Sequence, residues 1–151
     1  CRNLKNKTLK MKKIFLLFIV SFLLSCSNSG EVIDCFTPPQ PAYFKFVSAT
    51  NGENLITNGS LNSSHFSVKD SEGKTVEFKV ITENNLNAVV VYVGWYNGTK
   101  NYTFDLGDSK NFSFSVKSHQ LTGDCGGYIV DKVEIVDHPY SMESNFYLIK
   151  F

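Results

Sequence analysis

Residues 88–116 read AVVVYVGWYNGTKNYTFDLGDSKNFSFSV, and three runs in them decide the fold. Tyr102, Phe104 and Leu106 alternate with Thr103 and Asp105, and Phe112, Phe114 and Val116 alternate with Ser113 and Ser115. A period of two places successive side chains on opposite faces of an extended chain, which is the strand signature. The run Ala88 to Val93 is apolar on both faces and too short for a helix, as expected of a central strand in a sandwich. Asn97-Gly98 after it predicts a hairpin, and Gly107-Asp108 predicts the next turn.

The same period extends outward. Phe44 and Phe46 flank Lys45, and Asn51-Gly52 marks a turn. Leu55-Ile56 forms a short second run that ends at Asn58-Gly59. Phe66 and Val68 precede the turn Asp70-Ser71-Glu72-Gly73, and Val76, Phe78 and Val80 alternate beyond it up to Asn84-Asn85. Ile129 to Val136 and Asn145 to Phe151 supply the last strands, separated by His138-Pro139. With no helical period after residue 24, the chain predicts an all-β fold. It is a Greek-key β-sandwich of about seven to nine antiparallel strands, immunoglobulin-like or prealbumin-like, over residues 43–151 and preceded by a helical signal segment.

The chain has 151 residues, 15 Lys+Arg against 14 Asp+Glu and 14% aromatics, too apolar for a disordered segment and the length of one domain. Its charge is uneven. Met11-Lys12-Lys13 leads into an apolar run from Ile14 to Leu24, which at 11 residues is too short to span a bilayer and reads as an export signal over residues 11–25. Residues 1–10 lack a Met and read as an upstream polar extension, with Met11 the expected initiator.

Leu23-Leu24-Ser25-Cys26 resembles the lipobox of bacterial lipoproteins. The resemblance implies cleavage before Cys26, a diacylglycerol on its sulfur and usually N-acylation, so that the partner is a membrane held through lipid. Residues 26–42, with Pro38, Pro39 and Pro41, then form a lipidated tether. Two or three acyl chains suffice for a stable anchor. Ser27 after the cysteine is, by the enterobacterial rule, compatible with passage to the outer membrane. The implied location is the bacterial cell envelope, facing periplasm or cell surface. Residues 1–25 hold six bases and no acid, so removing them from 151 leaves 126 residues with nine bases against 14 acids, a net charge of −5. That balance argues against nucleic acid as a partner. Of the four cysteines, Cys35 and Cys125 remain for an oxidising compartment, where such a pair is expected to form a disulfide.

Asn51-Gly52-Glu53-Asn54-Leu55, Asp70-Ser71-Glu72-Gly73-Lys74 and Val91-Tyr92-Val93-Gly94-Trp95 resemble the turn motifs of prealbumin-like carboxypeptidase regulatory domains, with Trp95 where those modules usually have Tyr. The resemblance covers about half of the mature chain. It implies a small Greek-key sandwich with a non-catalytic role.

Three chemistries are open. Gly123-Asp124-Cys125-Gly126-Gly127 resembles the nucleophile loop of chymotrypsin-like cysteine proteases, with His65 and Asp105 earlier in the chain. Its competitor, preferred here, is a Gly-rich turn that displays a disulfide cysteine. Metal chemistry is not expected: His65, His119 and His138 are isolated, and Asp105-Leu106-Gly107-Asp108 with Asn111 reads as a solvated turn before it reads as a Ca2+ site. Trp95 and Tyr96, together with Tyr140, are candidates to stack on a sugar or dock a peptide, although the expected arrangement is Trp95 capping the core with Tyr96 half exposed. The function expected is therefore a lipid-anchored, non-catalytic binding or structural module. It needs no cofactor, takes a protein or glycan ligand and leaves oligomeric state open.

Overall fold

The period-two segments fold into nine strands in a computed structural model that describes residues 40–122 and 126–151. In chain order they are β1 (Gln40–Val47), β2 (Ser67–Asp70), β3 (Phe78–Ile81), β4 (Ala88–Val93), β5 (Gly98–Gly107), β6 (Lys110–Gln120), β7 (Tyr128–Ile135), β8 (Tyr140–Glu143) and β9 (Phe146–Lys150). They form a five-stranded sheet ordered β3-β4-β1-β9-β8 and a four-stranded sheet ordered β2-β5-β6-β7. The all-β sandwich is as expected, with strand pairs antiparallel except one: β1 runs parallel to β9, Tyr43 opposite Phe146 and Val47 opposite Lys150. A parallel pair needs a long connection between its strands, and the first and last described strands have the whole domain between them.

Phenylalanines join the two sheets. Phe44 and Phe46 project from β1 onto Phe104, Phe112 and Phe114 of β5 and β6, with ring centroids 5.0–6.5 Å apart and mostly tilted or edge-on. Such pairs contribute about 0.5–1.5 kcal/mol beyond their buried area. All five rings are fully buried, with Val68, Val89, Val91 and Ile149 around them. Ala88 to Val91 and Val93 are buried on both faces of β4, which pairs with β3 and β1, so the two-sided apolar run is an interior strand.

Four expectations need correction. Asn97-Gly98 does not close a hairpin: β4 and β5 belong to different sheets, and residues 94–97 carry the chain across the sandwich. Leu55-Ile56 is a turn, because the Asn54 side chain accepts the N–H groups of Ile56 and Thr57 at 3.0 and 3.1 Å and bends the chain before a ladder can form. The four-residue β8, squeezed between Pro139 and a turn at Ser144, was not expected. The strand β1 also begins at Gln40, inside the stretch expected to be tether. The turn at Asp108-Ser109 is a two-residue hairpin with both residues at positive φ, 50° and 62°, matching the right-handed strand twist.

Candidate ligand-binding site

The crossing from β4 to β5 builds a cleft. Gly94 sits at φ +96, and a Cβ there would fall 2.7 Å from Cγ2 of Val130 on β7, so glycine alone lets the chain turn this closely over the opposite sheet. The turn throws the next two side chains outward. Trp95 is 56% exposed and Tyr96 45% exposed, so Trp95 does not cap the core as expected. The loop is nevertheless fixed. The buried Ser118 hydroxyl on β6 donates to the Tyr96 carbonyl, and Tyr128 of β7 lies 6.4 Å from the Trp95 ring at a tilt of 59°.

Opposite these aromatics stands the turn after β2. Asp70 Oδ1 accepts the N–H groups of Glu72 and Lys74 at 3.0 and 2.9 Å, and Oδ2 pairs with Lys100 Nζ at 2.8 Å. The Asp70 side chain is only 4% exposed and that of Lys100 18%, so this is a sheltered pair. The Lys100 ammonium holds the Asp70 carboxyl below the usual carboxylate range, and the carboxylate in turn raises the lysine above its usual value. Lys100 also reaches Glu72 Oε1 at 3.5 Å and lies 5.6 Å from the centroid of the Tyr96 ring. One lysine thus ties the β2 turn to the aromatic loop.

Between the two walls lies a cavity of about 200 Å³, bordered by Trp95, Tyr96, Thr75, Lys74, Lys100 and Tyr102. Tyr102 forms its floor. The ring stacks on Phe114 at 5.1 Å and 15°, and burial pushes the phenol up from its usual value. The residue is only 6% exposed and borders the cavity. Sequence reasoning singled out Trp95 and Tyr96 but missed Tyr102, Asp70 and Lys100 as site residues. Their alternating positions marked them only as strand and turn.

The other candidates separate. His65 lies in a short 3-10 turn against Gly107, where an added Cβ would stand 2.9 Å from His65 Cβ. At the other end of β6, Gln120 pairs with Tyr128 and the Leu121 N–H bonds the Gly127 carbonyl at 2.8 Å. The eleven residues of β6, from Lys110 to Gln120, cover about 34 Å. Cys125, the third member of that constellation, lies outside the described residues, and Asp105 spends its Oδ1 on the Gly107 N–H at 2.9 Å, inside the hairpin.

His119 instead pairs with Asp131 at 2.7 Å, and His138 packs on Phe151 and reaches Asp137 at 3.0 Å. No group of three metal-ligating side chains occurs among the described residues. Tyr140 is exposed on β8, 6.1 Å from Tyr147 and distant in sequence from the cleft loops. Cys26, Cys35 and Cys125 lie outside the described residues. Compared with known proteins, the chain matches no family model, no curated protein and no solved structure.

Proposed function

We propose that this is a lipid-anchored protein of the bacterial cell envelope whose β-sandwich acts as a non-catalytic binding module, with its ligand site in the cleft beside Trp95. One observation carries the binding reading: a braced loop exposes two large aromatic rings at the mouth of a cavity that Tyr102 also lines. Exposed tryptophan normally loses favourable burial, and a loop braced by a buried hydroxyl and a bulky neighbour holds it there at fixed geometry. Calorimetry of the exported protein against panels of oligosaccharides and short peptides tests the site. A ligand from either panel whose binding is lost in Trp95→Ala supports the reading. Silence across both panels, or binding indifferent to that substitution, ends it.

The anchor rests on the Leu23-Leu24-Ser25-Cys26 motif behind a charged and apolar leader. Cells fed a fatty-acid analogue are expected to label this protein, and Cys26→Ala to remove the label. Undiminished labelling of the variant would sink the assignment. The hydrolase alternative rests on Cys125, which lies outside the described residues, while His65 packs against Gly107.

A further inference from the structure

The binding reading leaves the ligand's chemistry open, and the cleft narrows it. Resting on that reading, we propose that the site takes a neutral pyranose sugar, one face of the ring stacked on Trp95 and a ring hydroxyl hydrogen-bonded to Tyr102.

Shape is the first argument. A cavity of about 200 Å³ has room for about six waters at roughly 30 Å³ each. A single sugar ring replaces these with its own hydroxyls. Polarity is the second. A pyranose has an apolar C–H face and a polar rim, and the cleft has the same division. The Trp95 ring meets Tyr128 only at a 59° tilt, and among the described residues no parallel ring covers either indole face. The hydroxyls of Tyr102 and Thr75 and the Lys74 amine supply the polar side. An apolar side chain in the same place would strand the Tyr102 hydroxyl, which costs more than an unmade surface contact.

Charge is the third. Asp70 in the lining is paired with Lys100, which Glu72 and the Tyr96 ring also engage, so this ion pair is satisfied without a ligand. That pair has little left to offer a charged group, and among the described residues Lys74 is the one further charged residue of the lining. Because burial raises the Tyr102 phenol, it stays protonated and able to donate across the physiological range.

Trp95 is the chain's only tryptophan, so its emission reports this site directly. The exported protein in detergent is titrated with cellobiose, maltose, mannobiose and chitobiose, and in parallel with aromatic-containing tetrapeptides. At least one neutral disaccharide is expected to shift or quench the emission. By calorimetry, Trp95→Ala should abolish that binding. Tyr102→Phe, which keeps the ring stacked on Phe114, should weaken it roughly three- to tenfold, the worth of one neutral hydrogen bond. Thr75→Val, on the exposed turn, provides a second variant that leaves the core alone. Two results overturn the sugar assignment while the binding module stands: peptides binding through Trp95 with all sugars silent, or a sugar bound equally well by wild type, Tyr102→Phe and Thr75→Val. Silence from sugars and peptides alike overturns both.

Discussion

A side chain at position 94 has nowhere to go. Its φ of +96 lies where an L-residue is strained, and the missing Cβ would overlap Val130. Gly94→Ala is therefore expected to destabilise the domain by about 2–4 kcal/mol, backbone strain and overpacking acting together. Urea unfolding should show a lower midpoint with an unchanged slope. Trp95→Ala, one residue on, removes an exposed ring and should move stability by no more than about 0.5 kcal/mol. If Gly94→Ala leaves the midpoint in place, the close approach to β7 is not what shapes the loop. The pair of variants separates the residue that builds the site from the residue that offers itself to a ligand. From sequence alone they looked alike, a glycine and an aromatic after an apolar run, because nothing local to the pair shows that Val130 lies across the loop.

Elements were legible wherever one strand carries its own signal. Tyr102-Thr103-Phe104-Asp105-Leu106 and Phe112-Ser113-Phe114-Ser115-Val116 alternate because one face meets the other sheet and the other meets water, and both are strands as read. Sheet membership was not legible. Asn97-Gly98 satisfies the turn chemistry of a hairpin equally well when the chain crosses between sheets, since turn residues record local backbone and not the partner of the next strand. The β2 turn was read correctly as a turn, but its link to β5 was hidden, because Asp70 and Lys100 are thirty positions apart and meet only once β2 pairs with β5.

That link predicts a pH dependence. Asp70 is lowered by Lys100, so its contribution is present above the unfolded carboxylate value and lost as pH falls through a folded value below it. Lys100 is raised by Asp70, so its contribution is present below the ordinary lysine value and lost only as pH rises through the higher folded one. Lys100→Met should return Asp70 toward its usual range. The acid limb of a stability-against-pH curve should then begin at higher pH than in wild type. Superimposable acid limbs would mean that the pair, despite its 2.8 Å separation, does not couple to folding.

At the scale of the molecule, the described part of the sandwich begins and ends on neighbouring strands. β1 pairs in parallel with β9, and the side chain of Gln40, at the start of β1, accepts the Val130 N–H of β7 at 2.8 Å, bridging the two sheets at one end. Gln40 lies five residues after Cys35, and Val130 five residues after Cys125. This hydrogen bond thus joins two points equally far along the chain from the two cysteines, and five residues reach about 17 Å, ample for a bridge whose Cα atoms stand about 5.5 Å apart. The proposed Cys35–Cys125 disulfide would close a loop of about 90 residues, a constraint on the unfolded chain of about 4 kcal/mol in the entropy model. For a mature chain of this length each kcal/mol moves the melting temperature by about 3 °C. Reduction of the exported protein is therefore expected to lower Tm by roughly 10–15 °C, and Cys35→Ser to do the same without reductant. The effect should appear in stability and not in the cleft, because Trp95 is held by Gly94, Ser118 and Tyr128, contacts made among strands and independent of either cysteine. Two alkylatable thiols in the native protein, with a Tm indifferent to reductant, would remove the bridge and leave the interlocked phenylalanines of the two sheets as the domain's main stabiliser.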